Sequence, residues 1–176
     1  MPDASATACD TQEFTPDDIK WMHRALELAT QAAQRGEVPV GAVIVRNGME
    51  IAAAFNQVET VKDAVAHAEI LALQQAENAI GDWRLTDCTL YVTKEPCAMC
   101  AGACVNARLG HLVFGVPDPR MGAAGGAMNI TSFAGMLHRV HVRSGLLEAQ
   151  CREILQNFFR MRRLQQKAQS DLTENG

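Results

Sequence analysis

Residues 89–115 read TLYVTKEPCAMCAGACVNARLGHLVFG. Residues 89–92 are a short β-prone run, Pro96 sets the entry of a helix over 97–106, and residues 111–115 form a second apolar strand. Strand, helix, strand in that order is a β-α-β unit, which implies parallel pairing in a sheet covered by helices.

Working outward, residues 38–45 are apolar and β-branched, Asn47-Gly48 is a preferred two-residue hairpin turn, and residues 51–55 supply the returning strand. This pair is antiparallel. A polar loop leads to a helix over about 66–79, closed near Gly81. Nearer the N-terminus, Thr15-Pro16-Asp17-Asp18 reads as a helix start, with a capping threonine, proline in the first turn and two acids at the positive end. Ile19, Met22, Leu26, Ala29 and Ala33 then recur at helical spacing, and Gly36 ends the helix. Downstream, the glycine-rich stretch 117–128 is a loop long enough to suggest a function. A strand near 139–142 and a helix over about 147–166 follow. The order α-β-β-α-β-α-β-β-α predicts an α/β protein, a three-layer α-β-α arrangement around a mixed five-stranded sheet. Residues 1–14 are expected to be a disordered leader, 15–168 one domain, and 169–176 a flexible tail.

A chain of 176 residues can bury about 70% of its unfolded surface, so it needs neither disulfide nor metal to hold a core. No apolar run approaches the ~18 residues of a membrane span, and the acidic N-terminus has no secretory pattern, which predicts a cytoplasmic protein with no membrane association. Of six cysteines, three cluster at Cys97, Cys100 and Cys104, a pattern of metal or catalytic use more than of bridges. Cys9, Cys88 and Cys151 are scattered and read as incidental or buried thiols. The net charge is −4, yet residues 139–167 carry seven basic side chains against Glu148 and Glu153, a local balance of +5. Such a face either contacts phosphates or is simply a solvated helix surface.

Two motifs carry chemistry: His67-Ala68-Glu69, and Pro96-Cys97-Ala98-Met99-Cys100 some thirty residues later. Cys97 and Cys100 are three apart, so both thiols face one side of a helical turn, and a helix N-terminus favours their thiolates. One imidazole and two thiolates suit a tetrahedral zinc ion, with one ion expected per chain. Three protein ligands leave the fourth position for water, as in catalytic sites. Glu69 lies about 200° around the helix from His67 and is the candidate proton carrier. Half a structural zinc ribbon and a redox dithiol are alternatives for a lone Cys-x-x-Cys. The chain has no second Cys-x-x-Cys for the ribbon, and Pro96 precedes the cysteines instead of lying between them.

His-x-Glu followed by Pro-Cys-x-x-Cys is similar to the signature of zinc-dependent nucleobase deaminases. The chain further resembles the bacterial tRNA-specific adenosine deaminases, from about Asp18 to Lys167. The likeness includes Val38-Pro39-Val40-Gly41-Ala42-Val43, the run from Glu95 to Ala103, Gly122-Ala123-Ala124-Gly125, and Phe158-Phe159-Arg160-Met161-Arg162-Arg163. The resemblance implies a cytidine deaminase-like fold and hydrolytic conversion of adenosine to inosine at the wobble position of a tRNA anticodon, usually an arginine tRNA. It implies an anticodon stem-loop as partner, a homodimer and no organic cofactor. It also implies that Asn56 contacts the flipped base, that Asp118 lies beside the anticodon backbone, and that Phe159 and Arg162 meet the RNA. The chain departs from the family at Ala64, Val65 and Gln57, and carries Arg120 where lysine is usual. A free-base or nucleoside deaminase, acting on guanine or cytosine, shares the same zinc chemistry. A zinc-stabilised, non-catalytic RNA-binding module is the reading from another class.

Overall fold

The hairpin turn behaves as its sequence requires. Asn47 and Gly48 both take positive φ (52° and 73°), reversing β1 (Gly41–Arg46) into β2 (Met49–Phe55) with Arg46 opposite Met49. The computed structural model describes residues 13–174. The expected disordered leader therefore lies outside the described residues except for Glu13 and Phe14, and Phe14 packs on the core with its ring near Arg143. Cys9 also lies outside them.

Before the hairpin comes α1 (Pro16–Gln34). After it come α2 (Val58–Val61), α3 (Ala68–Ile80), β3 (Cys88–Lys94), α4 (Ala98–Asn106), β4 (His111–Val116), β5 (His141–Ser144) and α5 (Glu148–Glu174). The sheet order is β2-β1-β3-β4-β5. β1 is antiparallel to β2 and β3, whereas β3–β4 and β4–β5 are parallel. This is the expected mixed five-stranded α/β sheet. β2, β3 and β4 consequently run the same way, and their carboxyl ends share one edge, the edge where open α/β sheets bind ligands.

Strand alternation divides the core into two layers. Ile44, Leu90, Val92, Leu112 and Phe114 face α3 and α4 together with Ala68, Ala72 and Cys104. Val43, Val45, Tyr91 and Val113 face α1 and α5 together with Met22, Leu28, Cys151 and Leu155. Both faces of the central strands are covered, which is why these strands read as continuous apolar runs. Each fully buried aliphatic side chain contributes roughly 1.5–3 kcal/mol, and the two layers hold most of them.

Some boundaries differ from the sequence reading. The buried stripe of α1 is Trp21, Met22, Ala25, Leu28, Ala29 and Ala32, while Ile19 is exposed. The stripe is turned from the expected one where Ala25, Leu28 and Ala29 press against the sheet at Gly41; a Cβ on Gly41 would strike the Ala25 carbonyl. The short α2 lies within the expected polar loop. β1 begins at Gly41, after Val38, Pro39 and Val40, and α5 continues as helix to Glu174, past Gln166. β4 reaches parallel β5 through a long loop instead of a helix.

Asp18 does more than favour a helix end. Besides completing the capping box with Thr15, its buried carboxylate accepts from Tyr91 Oη at 2.8 Å and from both terminal nitrogens of Arg143 at 2.7 and 2.8 Å. Burial pushes the carboxyl upward, but the Arg143 guanidinium, Thr15 and Tyr91 outweigh it and hold it well below the usual carboxylate range. Stability from a lowered acid is present above its unfolded pKa of about 3.9 and is lost as pH falls toward the folded value. Asp18→Asn is therefore expected to cost about 2–3 kcal/mol near neutrality, less than a fully buried pair because Arg143 keeps a third of its side chain in water. That corresponds to a melting temperature lower by roughly 5–10 °C. Thermal melts from pH 8 to pH 2 should show a constant deficit above about pH 5 that shrinks below about pH 4.

Candidate metal centre and substrate cavity

The carboxyl edge collects the chemistry. His67 is the N-cap residue of α3 and Cys97 the N-cap residue of α4, both extended (ψ 150° and 175°). Neither side chain caps its own helix, so two helices that begin at the same edge bring an imidazole and a thiol to one point. Cys100, one turn into α4 and fully buried, supplies the third group. His67 Nδ1 lies 3.7 Å from Cys97 Sγ and 3.5 Å from Cys100 Sγ, and the two sulfurs are 3.6 Å apart. Among the described residues these three side chains form a group able to hold a metal ion.

The distances and the protonation fit such an ion. Thiolates at ~2.3 Å and an imidazole at ~2.0–2.1 Å on a tetrahedral cation lie about 3.5–3.8 Å from one another, the spacing found here. Hydrogen bonds from Cys100 and then His67 hold the Cys97 thiol down at about 3, while Cys97 and burial push Cys100 above the ordinary thiol range. A bound dication would take both sulfurs as thiolates. Its hydrogen-bonded neighbours and its place at the start of α4 both favour the thiolate form of Cys97.

Glu69 begins the second residue of α3, buried to 4% exposure, outside the three-ligand group. Burial first of all raises its carboxyl; its own backbone N–H and His67 pull the other way.

A cavity of about 500 Å³ opens on this group. Its walls include Asn56, His67, Glu69, Cys97, Phe159 and Arg162, so six of the eight expected site residues are gathered there or directly behind it, as is Cys100 through its sulfur contacts. Asp118 is placed differently. It lines an adjoining cavity with Lys94, Arg160 and Arg163, and its carboxylate is engaged by Lys94 Nζ at 2.5 Å and by the N–H groups of Arg120 and Met121. Phe158 and Phe159 meet edge to face, with centroids 5.4 Å apart. Both line the cavity, and neither is fully buried. Arg143, counted in the basic C-terminal segment, belongs to Asp18, and Arg152 pairs with Glu148. Of the remaining basic residues, Arg160, Arg162 and Arg163 on α5 line the two cavities.

The sequence reading missed several residues here. Glu37 is fully buried and accepts from Asn56 Nδ2 (3.1 Å), Glu59 N–H (3.2 Å), and Thr60 N–H and Oγ1 (2.6 and 2.7 Å). Being an acceptor, it turns the Asn56 amide nitrogen inward, which leaves the amide oxygen as the end of that side chain available to a ligand. Lys94 lines both cavities. Glu37 and Lys94 carry no spacing signal. A charged residue at the end of a buried strand was the only available hint.

Residues 16–163 match the family of MafB19-like deaminases. The chain is 45% identical to a tRNA-specific adenosine deaminase of Bacillus subtilis, over 92% of this chain and all of that one. This chain belongs to the tRNA-specific adenosine deaminase family. A solved structure from work on A-to-I editing by tRNA A34 deaminases at the wobble position superposes with a TM-score of 0.73 at 41% identity, covering 77% of this chain and 99% of that one. The guanine deaminase of Nitrosomonas europaea is more distant within the same fold, with a TM-score of 0.69 at 26% identity over 83% of this chain and 85% of that one. The cytidine deaminase-like fold of the tRNA-specific adenosine deaminases is thus the fold of this chain, and its His/Cys/Cys group is positioned for a metal ion. Among the described residues no helix is long and apolar enough to cross a membrane.

Proposed function

We propose that this protein deaminates adenosine to inosine at the wobble position of a tRNA anticodon, with an arginine tRNA as the substrate and one zinc ion per chain held by His67, Cys97 and Cys100. The observation that carries the reading is the open three-ligand group at the bottom of a cavity flanked by Phe159, Arg162 and Arg163, in a chain 45% identical to a tRNA-specific adenosine deaminase. A small-molecule deaminase has no need of a basic, aromatic helix at its entrance.

When bound, zinc supplies a Lewis acid that lowers the pKa of a water molecule to about 7. Glu69 would take one proton from the attacking water and deliver it to the ring nitrogen beside carbon 6 of the purine. It would then take the proton of the hydroxyl added at carbon 6 and pass it to the amino group, so that the C–N bond breaks, ammonia leaves and carbon 6 becomes a carbonyl. Burial, which raises the carboxyl, and a nearby dication, which lowers it, bring a group of this kind toward the range where it both accepts and donates. Asn56 holds the base edge with its amide oxygen, and Phe159 and Arg162 meet the RNA outside. The wobble nucleotide is unpaired, so extruding it costs little. The reaction is hydrolytic and uses no organic cofactor. Asp118 shapes the loop next to the anticodon backbone. The protein acts in the cytoplasm, as a homodimer through the loop that exposes Met121, Met128, Phe133, Met136 and Leu137, an apolar series that suits contact with a second copy. Light scattering of the purified protein tests the dimer; a monomeric mass at micromolar concentration would remove it.

The deciding assay offers an anticodon stem-loop, free guanine, cytosine and cytidine, and reads ammonia release together with inosine by sequencing. Turnover of the stem-loop alone is expected, falling steeply between about 50 and 200 mM salt as phosphate contacts are lost. Turnover of guanine alone would instead assign the chemistry of the Nitrosomonas europaea relative.

A further inference from the structure

The glycine-rich loop after β4 is built around a buried carboxylate that the chemistry above does not use. Glu95, exposed to only 1%, sits between β3 and Pro96. One of its oxygens accepts from the N–H groups of Ala124 (2.9 Å) and Gly126 (2.8 Å), and the other from Asp118 N–H (2.7 Å). The loop presses on it so closely that a Cβ on Gly122 or on Gly126 would collide with the carboxylate. Two glycines in this stretch are thus explained by contact, not by flexibility. The same loop then grips the entrance of α4: Ala123 N–H donates to the Pro96 carbonyl at 2.8 Å, and Gly122 bridges to Cys97.

From this geometry we infer that Glu95 is a positioning residue for the metal centre, folding the 118–126 loop onto the Pro96–Cys97 backbone and so fixing the direction of the Cys97 thiol. Three N–H groups converge on one acceptor-only side chain, a stronger anchor than neutral hydrogen bonds provide. Cys97 is an N-cap residue: its carbonyl accepts from Ala101 N–H at 2.8 Å, but its own backbone is extended and its thiol caps nothing, so the direction of that thiol depends also on what packs against the Pro96–Cys97 backbone. Residues that orient a ligand in this manner typically account for 10–100-fold in metal affinity. The inference rests on the reading of His67, Cys97 and Cys100 as metal ligands.

The test compares wild type with Glu95→Gln and Gly126→Ala in zinc affinity by chelator competition, and in the absorption spectrum of the Co²⁺-loaded protein. Gln keeps the size of the side chain but turns a donor toward the converging N–H groups. Gly126→Ala disturbs the same carboxylate from the loop side. We expect both folded variants to bind zinc 10–100-fold more weakly and to show altered sulfur-to-cobalt bands. An effect of Glu95 on fold stability alone would lower the melting temperature and leave affinity and spectrum unchanged, and that result would overturn the inference. If Glu95→Gln yields no folded protein, wild-type affinity and spectrum in Gly126→Ala would overturn it equally. A wild-type protein that takes up no metal would overturn the ligand reading and this inference together.

Discussion

Glu69→Gln should abolish most deamination, by about 10²–10⁴-fold, while zinc content and tRNA binding stay near wild type. The side chain is 4% exposed and outside the ligand group, so an isosteric amide neither removes a ligand nor leaves a hole. What it removes is a group that can take a proton and return it. The RNA contacts proposed on α5 belong to other residues, so affinity for a stem-loop should not follow activity. Single-turnover inosine formation, metal content and fluorescence anisotropy on one preparation separate the three quantities. Near-normal turnover in Glu69→Gln would sink the proton-carrier role, and joint loss of zinc and activity would make Glu69 part of the metal site.

Cys100→Ala is expected to reduce zinc affinity by more than about 100-fold, since loss of a direct ligand exceeds the usual cost of a neighbour that only orients one, and to take activity to background. The sulfur is fully buried and lies within 3.6 Å of both partners, so water cannot readily replace it in place. Wild-type protein stripped by a chelator should lose activity and recover it on zinc addition; Cys100→Ala should not recover. The fold should survive both treatments, because the two core layers are built from aliphatic side chains on each face of the sheet. Circular dichroism of the stripped protein checks this. Unfolding on metal removal would make the ion structural, and undiminished activity after complete stripping would exclude it from the reaction.

These expectations draw on features of very different range. Asn47-Gly48 announces its hairpin because only residues tolerant of positive φ make that turn. His67, Cys97 and Cys100 are readable because ligand type and spacing within one helical turn are local facts, even though the imidazole arrives from another helix. The phase of α1 was not readable to one position. Leu26 and Ala33 are as apolar as Leu28 and Ala32, and the choice among them is made by the close approach at Gly41.

Carboxylates show the division most clearly. Asp18 reads as a helix-start acid, and it is one. That it also binds Arg143, 125 residues away, is not written near either residue. Glu37 and Glu95 look like ordinary charged residues, yet each is buried and accepts from backbone N–H groups of a following segment. Backbone donors have no side-chain identity, so no pattern of letters marks where they will converge.

By itself, then, the sequence determined the β-α-β framework, the hairpin and the identity of the metal-holding trio, because periodicity, turn chemistry and ligand spacing act over a few residues. Only the tertiary structure decided which cavity the trio opens into, that Asp118 is held by Lys94, and which buried acids support the site. Those outcomes depend on groups brought together across the sheet edge, where burial makes every unpaired donor costly and so selects the partners.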